Sequence, residues 1–146
     1  MTGQSLCVSV NGNNVAGTRL VLKSCSTTPG AQPSSQRWQS SPSPNTNRIQ
    51  TASTTGTNLT PFCIGASGTA KGSSVVITTC STATSQQWTQ DSQGRFYPAS
   101  APTMCLDTVQ SRTTAGSLYV INPCSTKASQ KFTVFPVARH HRRLLA

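Results

Sequence analysis

Six cysteines constrain this chain more than any other feature. They stand at Cys7, Cys25, Cys63, Cys80, Cys105 and Cys124, in three pairs separated by 18, 17 and 19 residues. Cysteines scattered in a reduced core have no reason to keep one interval. Zinc ligands come closer together, as Cys-x-x-Cys with histidine nearby. Here both histidines, His140 and His141, stand at the C-terminal end. The spacing therefore predicts a bridge within each pair: Cys7–Cys25, Cys63–Cys80 and Cys105–Cys124. Each bridge closes a loop worth about 3 kcal/mol in chain entropy. Together they imply an oxidising compartment.

The pairs also bring the rest of the chain into register. At a constant distance before each second cysteine stands a glycine: Gly17, Gly72 and Gly116. Between glycine and cysteine run Leu20-Val21-Leu22, Val75-Val76-Ile77 and Tyr119-Val120-Ile121. This pattern predicts a strand entered through a glycine turn and ending at the cysteine. Beyond each second cysteine come glutamine, any residue, aromatic: Gln36-Arg37-Trp38, Gln86-Gln87-Trp88 and Gln130-Lys131-Phe132. The first repeat carries additional residues between Ser26 and Ser35, which read as a surface loop. One Gln-x-Trp has no weight by itself. Three, in step with three cysteine pairs and three glycines, make a threefold repeat.

A chain of 146 residues has the length of one domain. Only 5% of it is aromatic, and Ser, Thr, Gly and Pro recur at short intervals, so short strands and turns are expected rather than capped helices. One repeat cannot bury its own apolar face, whereas three around an axis close into a barrel. Trp38, Trp88 and Phe132 are then core residues related by the pseudo-threefold. Gln36, Gln86 and Gln130 are expected to hold backbone inside the turns.

The succession Cys105-Leu106-Asp107, Gly116, Asn122-Pro123-Cys124 and Gln130-x-Phe132 resembles the repeat of ricin B-type lectins and related carbohydrate-binding modules of secreted hydrolases. The resemblance runs from about Ser5 to Phe135. It implies an all-β, pseudo-threefold β-trefoil over residues 1–137, with repeats at about 1–46, 47–92 and 93–137. In that family an Asp after the first cysteine accepts hydrogen bonds from sugar hydroxyls. An aromatic before the second cysteine stacks on the ring, and an Asn and the motif Gln complete the rim. At the Asp position this chain has Ser9, Gly65 and Asp107. At the aromatic position it has Lys23, Thr78 and Asn122, and at the Asn position Ser35, Ser85 and Ser129. Only Gln36, Gln86 and Gln130 match throughout. The resemblance thus implies at most one weak carbohydrate site, made by Asp107, Asn122, Ser129 and Gln130 with Val120 beneath them. Without a stacking ring it is expected to bind in the millimolar range, on the order of 4 kcal/mol. Asp107 has a competing structural role, bonding the turn from Thr108 to Ser111. Tyr119 is expected in the core, and Tyr97 is the aromatic expected to be exposed.

Catalysis has little to work with. The carboxylates are Asp91 and Asp107, and Asp91 lies in the turn signature Asp91-Ser92-Gln93-Gly94. A glycosidase needs two carboxylates flanking one bond, so no enzyme is expected, and no cofactor or metal site. The expected function is a non-catalytic carbohydrate-binding module. The alternative is a decayed lectin fold that engages protein or matrix through a basic surface. Twelve Lys and Arg against two acidic residues give a formal charge of +10, which attracts phosphate, sulfate or uronate groups. The expected partners are therefore glycans, galactose-type or acidic polysaccharide. No aromatics alternate with the basic residues to stack bases, so nucleic acid is not expected. No run of about eighteen apolar residues exists to insert in a membrane.

Met1-Thr2-Gly3-Gln4-Ser5 is not the start of a signal peptide. With the disulfides, this makes the chain an expected piece of a larger secreted protein, resident outside the cell or at its surface. Asn58-Leu59-Thr60 is an N-glycosylation acceptor followed by Pro61. Ser41 to Pro44 and Thr51 to Thr57 are loop segments suited to O-linked sugar. The closing strand of the third repeat is not evident. Phe135 is followed by Pro136 and then by Arg139-His140-His141-Arg142-Arg143. Like charges favour a solvated chain, so residues 138–146 are expected to form a disordered basic tail. The other arrangement lays the tail across the seam, with Val137 or Leu144 covering the barrel floor.

Overall fold

The computed structural model describes residues 5–25, 34–40, 48–51, 62–138 and 141–146. Its strands are β1 (Leu6–Val10), β2 (Leu20–Ser24), β3 (Trp38–Ser40), β4 (Ile49–Thr51), β5 (Phe62–Ala66), β6 (Val75–Thr79), β7 (Trp88–Gln90), β8 (Phe96–Pro98), β9 (Met104–Thr108), β10 (Tyr119–Pro123), β11 (Thr133–Ala138) and β12 (His141–Leu145). The fold is an all-β trefoil. Each repeat opens with one hairpin, β1–β2, β5–β6 or β9–β10, and the three share one register. Ser9 stands opposite Val21, Gly65 opposite Val76, and Asp107 opposite Val120. The three expected disulfides close these hairpins, with Cα separations of 5.1, 4.9 and 4.9 Å.

A ring of hydrogen bonds locks the repeats together. The Gly17 N–H donates to Ile77 O, Gly72 to Ile121 O and Gly116 to Leu22 O, each at 2.7 Å. In return Ile77 donates to Thr18 O, Ile121 to Ser73 O and Leu22 to Ser117 O. Each hairpin turn thus docks on the second strand of the next repeat. The glycines have φ of 92°, 85° and 96°, the left-handed region where a Cβ is strained. This is the physical reason glycine recurs in step with the cysteines.

Inside the ring sits one core, with Val8, Leu20, Leu22, Ile64, Val75, Ile77, Leu106, Tyr119 and Ile121 buried around Trp38, Trp88 and Phe132. A single 3-10 turn precedes each of those aromatics, over Ser34–Gln36, Thr84–Gln86 and Ala128–Gln130. The glutamines hold backbone as expected. Gln86 donates to Thr79 O and accepts from Ser81 N–H, and Gln130 does the same with Pro123 and Ser125. Gln36 donates to Ser24 O. The indole N–H groups donate to Val8 O and Ile64 O, which satisfies a donor that burial would otherwise strand. Phe132 has no such donor. It packs its ring against Phe96 and Tyr119, at centroid distances of 5.8 and 6.0 Å.

The end of the chain differs from expectation. Residues 141–145 are not a disordered tail but the twelfth strand. β12 pairs with β11 through a register shift after Pro136, meets β1 at Cys7–Leu145, and meets β3 at Arg142–Trp38. Leu144 is 2% exposed and belongs to the core. The physical reason is the strand's period of two. Only alternate side chains need burial, so Leu144 goes in while Arg143 and Leu145 stay half-exposed. The unpaired backbone of β1, β3 and β11 outweighs the cost of gathering charge at the seam. Asn58, Ser41 to Pro44, residues 52–57 and most of the first-repeat insertion lie outside the described residues.

Candidate functional site

Asp107 stands on β9 where the strand leaves the disulfide, and the shared register sets it beside β10. Its side chain is buried and surrounded by donors. Oδ1 accepts the Thr108 N–H at 2.7 Å. Oδ2 accepts the Ser111 hydroxyl at 2.8 Å, the Asn122 amide at 2.9 Å and the Gln130 amide at 3.1 Å. The Ser129 hydroxyl approaches from the 3-10 turn. Burial pushes the Asp107 carboxyl upward, and the hydrogen bonds from Asn122, Gln130 and Ser111 outweigh it, holding the group below the usual carboxylate range.

The loop after β9 is bent to make this possible. Gln110 and Ser111 are both left-handed, with φ of 58° and 54°, which is rare for residues with a Cβ. That bend turns the Ser111 hydroxyl back onto Asp107. Thr108 steadies it by donating to Arg112 O. The turn from Thr108 to Ser111 is the structural partner expected for Asp107, but nothing in the sequence signals its left-handed bend.

A cleft of about 480 Å³ opens over this network. Asp107, Asn122 and Gln130 line it, with Gln110, Ser111, Ser125, Lys71 and Lys127. Of the expected site residues, Asp107 and Gln130 are at most 1% exposed and serve as its floor. Asn122 is half-exposed. Its amide N–H groups are committed to Asp107 and Thr108 O, and its Oδ1 has no hydrogen-bond partner among the described residues. Val120 is buried under the strand pair, and neither it nor Ser129 lines the cleft. Ser129 instead borders a second cavity of about 320 Å³ with Tyr119, Leu6 and Leu22. Tyr119 is fully buried there, and burial, with the Asp107 charge, pushes its phenol above the ordinary range. Tyr97 is half-buried on β8 and borders neither cavity.

The first two repeats lack this arrangement. Ser9 directs its hydroxyl to Val10 O. At Gly65 a Cβ would lie 3.3 Å from the Thr78 methyl and 3.4 Å from Gln86 Cγ, so that hairpin is filled by its own neighbours. Lys71 and Lys127 escaped the sequence reading. Lys71 belongs to a different repeat, and only the docked turn carries it to the cleft.

The acid limb of stability follows from two carboxylates. Asp91 is also lowered: slight burial raises it, and the Arg95 N–H and guanidinium and the Gln93 N–H outweigh that. A depressed folded value stabilises above the unfolded value and loses that contribution as pH falls through the folded one. Stability is therefore expected to hold down to about pH 4 and to fall below the ordinary aspartate value of 3.8. Urea titrations across that range check this, and Asp107→Asn should flatten most of the decline. Identical acid limbs in the two proteins would refute the role given to Asp107.

Comparison with known proteins agrees with this architecture. A family model described as the ricin-type beta-trefoil lectin domain matches residues 1–132. No curated protein matches the chain at significant similarity. Among solved structures, the crystal structure of the designed 3-fold symmetric protein ThreeFoil is 16% identical, with 98% of this chain and 97% of that one covered at a TM-score of 0.63. The solution structure of the mdaA-1 domain is 16% identical, with 86% and 80% covered at a TM-score of 0.60. At such identities these likenesses speak for the fold alone. The family model spans most of the chain, and the chain belongs to the ricin-type β-trefoil lectin domain family.

Proposed function

We propose that this chain is a non-catalytic glycan-binding module with one weak site, in the third repeat, working outside the cell or at its surface. The cleft over Asp107 carries the reading. It is the only hairpin of the three with an aspartate opposite its valine. It also presents an uncommitted amide oxygen on Asn122 above a rigid polar floor. The floor residues act by position: Asp107 and Gln130 aim Asn122, and the ligand meets Asn122 and the lip. Three disulfides, and no free cysteine among the described residues, support the oxidising location.

Catalysis has no support in the geometry. Asp91 is tied to Arg95 at 2.7 Å, and Asp107 is buried among its donors, so no described pair of carboxylates can flank a scissile bond.

An NMR titration of the isotopically labelled protein with neutral and acidic mono- and disaccharides tests the reading. The Asn122 side-chain amide and the Ser125 backbone amide should move together, with dissociation constants on the order of millimolar. Asn122→Ala should weaken binding about tenfold or more. If no sugar moves these signals, the protein-interaction alternative takes its place.

A further inference from the structure

We infer that the third-repeat cleft selects sugars carrying a negative charge, a carboxylate or a sulfate, through Lys71 and Lys127; this rests on the glycan-binding reading above. A carboxylate offers about four lone-pair sites. Four donors already occupy Asp107: the Thr108 N–H, the Ser111 hydroxyl and the amides of Asn122 and Gln130. Three of them crowd Oδ2, and Oδ1 is buried with the rest of the side chain, so a sugar hydroxyl gains little access to the carboxylate. The lip offers donors instead.

Lys71 arrives from the second repeat, because the Gly72 N–H docks that turn on Ile121 O of β10. Lys127 arrives from the third repeat, just before the 3-10 turn Ala128–Gln130. Both side chains are exposed at the cleft. Neither ammonium group has a hydrogen-bond or ion-pair partner among the described residues. Asp91 is taken up by Arg95 and Asp107 by the donors around it, and neither forms an ion pair with these lysines.

The pair is local to this repeat. Before the turn glycine the other repeats carry Ala16 and Ala115 where this cleft receives Lys71. In the second repeat Ala83 stands where Lys127 stands in the third. The one repeat that keeps the aspartate is therefore the one with two cations at its lip. A neutral pyranose gains little from ammonium groups, whereas an anionic one gains from both. Those contacts weaken with salt because they are exposed.

The test uses the same NMR titration with galactose, galacturonate and galactose 6-sulfate. Salt is set at roughly 20 mM and then about 300 mM, so that the Debye length shortens from roughly 20 Å to about 6 Å. Anionic sugars should bind about tenfold more tightly than galactose at low salt. The stronger of the two anions identifies the preferred group. The preference should shrink to about twofold or less at high salt and in the K71A/K127A double variant. Alanine already occupies the equivalent positions in other repeats, so that variant is expected to fold. A K23A/K131A variant loses the same charge elsewhere on the surface and should keep the preference. Equal affinity for neutral and anionic sugars overturns the inference and leaves glycan binding standing. So does a preference that survives in K71A/K127A or is lost equally in K23A/K131A. Silence of the Asn122 and Ser125 signals with every sugar overturns both readings.

Discussion

Truncation after Ala138 should lower the melting temperature by roughly 12 °C or more, as measured by calorimetry. Burying Leu144 accounts for about 2–5 kcal/mol by comparison with leucine truncations in packed cores. Removing β12 also strips backbone partners from β11, and from β1 and β3 at single bridges. Ala146 N–H donates to Leu6 O at 2.9 Å, so even the last residue is tied to the first strand. For a domain of this size each kcal/mol corresponds to about 3–4 °C. Leu144→Ala alone should therefore produce about half the effect or more, without shortening the chain. A shift within about 2 °C on truncation would mean that the barrel closes without β12.

Asp107→Ala should cost about 3–5 kcal/mol in denaturant unfolding, more than its volume change warrants. The substitution leaves the Ser111 hydroxyl, the amides of Asn122 and Gln130 and the Thr108 N–H facing a site without an acceptor. Buried donors without partners lose their hydration with nothing in return. The left-handed pair Gln110 and Ser111 loses the bond that holds it, so the β9–β10 connection should also gain faster amide exchange. Ser9 and Gly65 occupy the same register position in the other repeats. The fold itself therefore does not require an acid there. The cost belongs to the network assembled around Asp107, and a loss below about 1 kcal/mol would show that the network is incidental.

Asp107 and Gln130 are recognisable as the residue types the family places there, and Asn122 as the residue standing at its aromatic position. Their division into a buried floor and one exposed amide is not, since it depends on where Ser111 points after a left-handed bend. Val120 is expected beneath the site, and Ser129 at its rim in place of the family's Asn. The pleat buries the first, and the 3-10 turn gives the second to another cavity.

The trefoil, its three disulfides and its core aromatics were legible in the chain itself, because the causes are local and repeated. A hairpin turn held near φ 90° favours glycine, a bridge demands two cysteines at hairpin spacing, and a buried indole demands an acceptor within reach. Three copies of each requirement, in one order, leave little freedom. The fate of residues 141–145 and the position of Lys71 were decided only on folding. A charged segment reads as solvated until three neighbouring strands offer it unpaired backbone. A turn lysine reads as surface until Gly72 docks on the next repeat. Both outcomes depend on partners distant in sequence, and no local pattern encodes them.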